Sequence, residues 1–130
     1  MTHKFNRMVM VESPYNHPNL GREACVRYAV WACYDALVNY GEVCFASHLF
    51  TTQLLPETKE ARDIGLAARD ALAHYCQAAV VRYTDIGETP GMYREVDGTR
   101  VCESRKLPAD LLAKWQSGEW PESSVRLMVL

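Results

Sequence analysis

The sequence predicts a single α/β domain over residues 1–130, with a mainly parallel sheet and helices on both of its faces in three layers. Three observations carry this. Short apolar runs such as Met8-Val9-Met10-Val11 and Ala78-Ala79-Val80-Val81 have the continuous hydrophobicity of strands buried on both sides. Two longer segments, residues 20–40 and 57–75, repeat apolar residues at helical spacing. Strand and helix then alternate along the chain, as βαβ units do. A chain of 130 residues is large enough to bury one core without disulfide staples.

The first run, residues 8–11, is expected to be a central strand. It ends at Glu12 and leads into Ser13-Pro14-Tyr15-Asn16-His17-Pro18-Asn19, a polar loop with two prolines. Asn19 is a suitable N-cap for the helix that follows. A loop between a strand and a helix N-terminus suits an anion, because the first backbone N–H groups have no partner within the helix. A capped turn without a ligand is an equally good reading of these residues. No glycine-rich fingerprint supports a P-loop or a dinucleotide site.

Along residues 20–40 the stripe Cys25, Ala29, Ala32, Cys33, Ala36, Leu37 and Tyr40 should face the sheet, with Arg22, Glu23, Arg27 and Asp35 on the solvated side. Gly41 stands where a left-handed residue ends a helix. Residues 42–45 read as a second strand, followed by the mixed segment 46–53. Ser47 and His48 are neighbours there, so their side chains diverge, and no G-x-S-x-G elbow exists. His48 is thus either a structural histidine or a ligand contact after a strand end. The second helix should begin with Pro56 and Glu57 in its first turn. Its expected buried side is Ala61, Ile64, Leu66, Ala67, Ala68, Ala71, Leu72 and Tyr75, and its polar side Arg62, Asp63, Arg69 and Asp70.

The third strand, near residues 78–81, runs into Tyr83-Thr84-Asp85-Ile86-Gly87-Glu88-Thr89-Pro90-Gly91-Met92-Tyr93-Arg94-Glu95. Two glycines and a proline force an irregular path, and Asp85, Glu88 and Glu95 put three carboxylates on it. Ligands of open α/β sheets bind beyond the carboxyl ends of the strands, where this loop belongs. Residues 92–96 can begin a helix, but Asp97-Gly98 is also a hairpin turn signal. Residues 101–107 read as a further strand and 108–115 as a short helix. The apolar end, residues 125–130, requires cover from its own sheet or from another subunit.

Fourteen basic against sixteen acidic side chains give no excess positive charge for a nucleic-acid polymer or an anionic membrane. A small molecule is the expected partner. The five cysteines are odd in number and lack a C-x-x-C pair or a zinc-like spacing, so reduced thiols in a cytoplasmic protein are expected. No membrane span or secretory leader is legible in the sequence. No metal and no cofactor is expected to be needed.

The order of these pieces resembles the nucleoside 2-deoxyribosyltransferase-like superfamily, and within it a group of small members found in bacteria and phages. The resemblance rests on Val11-Glu12-Ser13-Pro14-Tyr15, on Ala46-Ser47-His48-Leu49 within residues 41–53, and on Tyr83-Thr84-Asp85-Ile86-Gly87 with Pro90-Gly91-Met92, and it spans about residues 8–107. It implies a Rossmann-like or flavodoxin-like sheet, a bacterial or phage-infected cytoplasm, a homo-oligomer, and a pocket for a nucleoside or nucleotide. In the enzymes a glutamate attacks C1′ of the deoxyribose and releases the base, and Glu95 matches it here as the fourth residue after Gly91. Asp70 is then the assisting carboxylate, although it stands about one residue out of register with the enzymes' aspartate. Ser13, Tyr15 and Asn19 lie near sugar or phosphate, and His48, Asp85, Gly91 and Met92 complete the expected binding set. The alternative is a non-catalytic, phage-type protein that binds and sequesters a nucleotide-derived signal. There Arg22, Arg94 and Arg100 would matter more than Glu95.

Overall fold

The structure is a computed structural model and describes residues 4–46, 49–50, 54–93 and 102–121. Strands β1 (Arg7–Glu12), β2 (Glu42–Phe45), β3 (Ala79–Tyr83) and β4 (Cys102–Arg105) form one sheet in the order β2-β1-β3-β4, and every neighbouring pair is parallel. Met10 pairs with Phe45 on one side and with Val80 on the other, so β1 is internal, as its continuous hydrophobicity requires. Parallel neighbours need crossover connections. Helix α1 (Gly21–Tyr34) continues into one π-helical turn, Asp35–Asn39, while α2 (Lys59–Cys76) carries the chain from β2 to β3. A single 3-10 turn (Pro90–Tyr93) precedes β4, and α3 (Ala109–Gln116) follows it. None of the described helices is long and apolar enough to cross a membrane.

Side chains alternate along each strand, and the sheet therefore has two different cores. Val9, Val11, Val81 and Tyr83 pack with Tyr28, Trp31 and Ala32 of α1 and with Leu111 and Trp115 of α3. Met10 and Val80 pack with Ala73 of α2, with Met8, Phe45 and Leu72 alongside. Helices thus cover both faces. The α1–α3 seam is joined by polar tips as well as rings. Tyr28 and Trp115 meet edge to face at 5.5 Å, the Trp115 indole N–H donates to the Ala24 carbonyl at 2.9 Å, and that of Trp31 donates to the Glu119 carbonyl at 2.8 Å.

Four local expectations need correction, the first being that Leu37 and Tyr40, expected on the stripe that faces the sheet, are each 44% exposed. Asn19 does not cap α1: the helix starts at Gly21, where φ is +82°, and no side chain caps it. His17 closes this turn instead. Its carbonyl accepts the N–H groups of Leu20 and Gly21, and its ring Nδ1 accepts that of Asn19 at 3.1 Å. Asp35 is not solvated but buried, because Tyr83 donates to its carboxylate at 2.7 Å and Asn39 at 2.6 Å. Gly41, at φ +65°, does supply the expected left-handed residue after the helical segment.

The fourth correction concerns α2. Thr58, not the Pro56–Glu57 pair, starts it, accepting the Ala61 N–H at 3.0 Å. Its buried ridge is Ala61, Gly65, Arg69 and Ala73, whereas Ile64 and Tyr75 are 52% and 83% exposed. Residues four apart form one ridge of a helix, and three small side chains on it let the backbone lie close to the sheet. Arg69 enters that ridge by pairing with an acid, which apolar periodicity does not register.

Candidate functional site

In the order β2-β1-β3-β4 the chain leaves the adjacent strands β1 and β3 toward opposite edges of the sheet, which opens a crevice at their carboxyl ends. Glu12, the last residue of β1, lies in register with Arg82 of β3. Both side chains belong to the face covered by α2. From that helix, Arg69 Nη1 donates to Glu12 Oε1 at 2.6 Å, and Arg69 Nε lies 3.5 Å from Asp70 Oδ1. The Glu12 and Arg69 side chains are only 10% and 3% exposed, while Asp70 is 29% exposed. Arg82 Nε donates to the Met92 carbonyl at 2.6 Å, and the Tyr93 ring lies 4.3 Å from its guanidinium carbon. Met92 is buried, and its sulfur accepts the Thr89 N–H at 3.3 Å, so Arg82 and the 3-10 turn hold each other.

Burial pushes the Glu12 carboxyl up to about 7, with Asp70 adding to the rise, while Arg69 and Arg82 oppose it. Desolvation wins because the attraction of Arg69 and Arg82 does not replace the water around a carboxylate. Near neutral pH this group exchanges a proton within reach of two guanidiniums and a second carboxylate.

The outer rim is built by Tyr15, Arg22 and Glu57. The Tyr15 hydroxyl donates to Glu57 at 2.9 Å and accepts from Arg22, whose guanidinium also lies 5.0 Å from the Tyr15 ring centre and pairs with Glu57. The loop after β1 is thereby tied to the segment that leads into α2. Ser13 is buried beneath it.

Asp85 stands in a different setting. Its Oδ2 accepts the Tyr28 hydroxyl at 2.5 Å and the Leu107 N–H at 2.8 Å, and its own N–H donates to the Tyr28 oxygen at 2.9 Å. Burial and the Asp85 carboxylate raise the Tyr28 hydroxyl far above its ordinary value. This aspartate braces α1 against the segments after β3 and β4, so its first role is to shape the loop.

The expected site residues are thus sorted by their surroundings. Asp70 and Met92 come together around Arg69 and Arg82, with Gly91 in the same 3-10 turn as Met92. Ser13 and Tyr15 lie on the loop leaving β1, and Asn19 is exposed farther along it. Glu95 and His48 fall outside the described residues, as does the choice between helix and hairpin for residues 94–101. Three residues escaped the sequence reading: Glu12, Arg69 and Arg82. A signal existed for two of them, since a charge ending an apolar strand and a charge inside the ridge Ala61, Gly65, Ala73 each ask for a buried partner. Among the described residues no three His, Cys, Asp or Glu side chains gather as a metal site.

No curated protein and no solved structure matches the chain. A family model does match it, over residues 7–108, from the first residue of β1 to just beyond β4. On that match the chain belongs to the family described as a domain of unknown function, DUF7768.

Proposed function

We propose that this chain binds a nucleoside or nucleotide in the crevice at the carboxyl ends of β1 and β3, and that its chemistry there is cleavage or transfer of an N-glycosidic bond. One observation carries the reading most strongly. Glu12, Arg69, Asp70 and Arg82 converge at the topological switch point of a parallel sheet, where such sheets take their ligands. Tyr93, 47% exposed and lying over Arg82, offers an aromatic surface beside these charges on which a base can stack. In the reaction a carboxylate oxygen bonds to C1′ as the C1′–N bond breaks, the base leaves with a proton, and water or a second base then releases the sugar. By resemblance Glu95 is the nucleophile and Asp70 the assisting carboxylate.

Incubation with a panel of nucleosides, deoxynucleotides and cyclic NAD-derived nucleotides tests this, with free base and intact ligand followed by chromatography. Base release that Glu95→Ala abolishes supports the whole reading. A ligand taken up and returned intact after heating supports binding and overturns catalysis, and no uptake of any member overturns both. A homo-oligomer is part of the same proposal, supported by Ile64 and Tyr75, which α2 turns outward. Light scattering that gives the monomer mass removes that part.

A further inference from the structure

The two outer strands of the sheet are guarded differently. β4 carries the partly exposed Glu103, with the exposed Lys106 just past its end, and such charges keep an edge from pairing with another chain. β2 has no such guard. From Ala36 to Pro56 the sequence holds one Asp, Glu, Lys or Arg side chain, Glu42, and that one is buried against Arg7 and Arg105. Among the described residues β2 pairs only with β1, so its outer row of backbone N–H and C=O groups faces no strand. Apolar side chains stand where the guard is missing. Six of the twelve large apolar side chains exposed among the described residues, namely Phe5, Leu37, Val38, Tyr40, Val43 and Phe50, lie on β2 or on segments fastened to it, each 42–56% exposed. Asn6, beside Phe5, donates its N–H to the Gly41 carbonyl at 2.8 Å and its side-chain amide to the Tyr40 carbonyl at 2.9 Å. Leu37 and Val38 belong to the π-helical turn that packs on β2, and the Phe50 ring meets Phe45 of β2 edge to face at 5.9 Å.

We infer that two copies of this chain join along β2, antiparallel and about a twofold axis, so that the four described strands of each continue into one sheet. This rests on the homo-oligomer proposed above and assigns its surface; it does not depend on what the crevice binds. A second copy is the occupant because of charge. In a twofold contact each patch meets itself, so every charge on it approaches its like, and an uncharged apolar patch is self-complementary. The size also fits. At about half exposure an aromatic ring still offers about 100 Å² and an aliphatic side chain somewhat less, so the six offer on the order of 500 Å² per copy, against roughly 800 Å² per partner in a standard interface. The strand edge and a polar rim supply the remainder. Ile64 and Tyr75 on α2 are the competing surface, but that helix also carries Lys59, Glu60, Arg62 and Asp63, which would face their own copies.

Sedimentation of the full chain at micromolar concentration should give the mass of a dimer. The axis passes beside the middle of a four-residue strand, so Val43 lies close to its own copy. Val43→Lys should therefore set like charges against each other and weaken the dimer at least about a hundredfold, with the circular dichroism unchanged. Val43→Glu should do the same. Mixed together, the two variants should return to the dimer mass, which a variant that merely loosened the fold would not do. If neither folds, Val38→Lys and Val38→Glu serve instead, on a helical turn rather than in the sheet. Tyr75→Lys should leave the dimer intact.

A dimer that the charged variants at Val43 and Val38 leave intact, or that Tyr75→Lys dissociates, overturns the β2 contact while the homo-oligomer stands. Variants that dissociate but do not recombine when mixed overturn the twofold arrangement. A monomeric parent overturns the contact and the homo-oligomer together and leaves the crevice to its own ligand test. Hydrogen exchange then names the other occupant: β1 can protect only alternate amides of Glu42–Phe45, so a monomer that protects all of them covers the edge with its own chain, the apolar residues 125–130 being the segment suited to it.

Discussion

Two buried glutamate–arginine pairs lie on opposite faces of the sheet, and burial wins in one and loses in the other. On the α2 face, Glu12 receives Arg69 at 2.6 Å and has its carboxyl pushed up to about 7. Toward α1, Glu42 receives Arg105 through two nitrogens at 2.7 and 2.8 Å and Arg7 through a third at 3.0 Å. Burial works to raise Glu42 as well, but bonds and attraction from Arg105 and Arg7 outweigh it and hold the carboxyl below its ordinary value. Around this pair, Tyr83 donates to Asp35, the Tyr40 ring lies 3.7 Å from the Arg105 guanidinium carbon, and Glu103 receives Arg7. The lesson is that the number of donors, not burial alone, decides whether a buried carboxyl stays charged. One pair is a saturated fastening, and the other is poised to change state.

The largest expected effect comes from breaking the fastening. Among the described residues, Arg105→Met removes two of the three donor nitrogens at Glu42 and leaves the carboxylate, 3% exposed as a residue, with Arg7. Removing one partner of a buried pair costs about 3–5 kcal/mol, a large part of the roughly 5–15 kcal/mol that stabilises a domain. Urea denaturation at neutral pH should show that loss. A change within about 1 kcal/mol would mean that Arg7 alone suffices and that donor number is the wrong criterion.

Glu12→Gln should act in the opposite sense, and pH separates the two pairs. A carboxyl raised in the folded state binds its proton more tightly there than in the unfolded chain. The folded form therefore loses stability as pH rises from the unfolded value near 4.5 to about 7, and no further beyond it. The span corresponds to about 3 kcal/mol at most, since each tenfold change in proton affinity is worth about 1.4 kcal/mol. Glutamine imitates the protonated form, so Glu12→Gln should match the parent near pH 4 and be more stable by up to about 3 kcal/mol at pH 8. Glu42, held low, contributes stability that is present above the unfolded value and is lost as pH falls through the folded one, so Glu42→Gln should cost stability at pH 7. Thermal melts from pH 4 to 8 check both signs. A flat Glu12→Gln difference would place both glutamates in one class.

The sequence made much of this frame legible and little of the polar chemistry inside it. The runs at residues 8–11, 42–45 and 78–81 and the Ala-rich stripe of α1 marked strands and helix because apolar burial repeats with the period of the backbone. The loop after β3 was legible as lying beyond the strand ends, whereas the order β2-β1-β3-β4, and with it the switch point, is visible only in the structure. Arg69, Asp35 and Glu12 were misplaced or passed over because each is buried through one distant partner, 57, 48 and 57 residues away respectively. No local period encodes such a pairing. The same failure rotated α2, since reading Arg69 as solvated pointed Ile64 and Tyr75 inward when both face outward.

The smallest predicted effect guards the comparison itself, because a Glu12 variant could act through α2 rather than through its own charge. Thr58 caps that helix, its hydroxyl oxygen accepting the Ala61 N–H at 3.0 Å, and it lies eleven residues before Arg69. Thr58→Ala should cost about 1 kcal/mol, the ordinary worth of an N-cap. At 1.5 Å rise per residue, eleven residues put Thr58 about 16 Å along the helix from Arg69. The cost should therefore be the same at pH 5 and pH 8, shifting both melts by a similar amount and leaving the Glu12 limb where it was. If Thr58→Ala instead moves that limb, the proton affinity of Glu12 depends on how firmly α2 is seated, and helix docking rather than donor number distinguishes the two pairs.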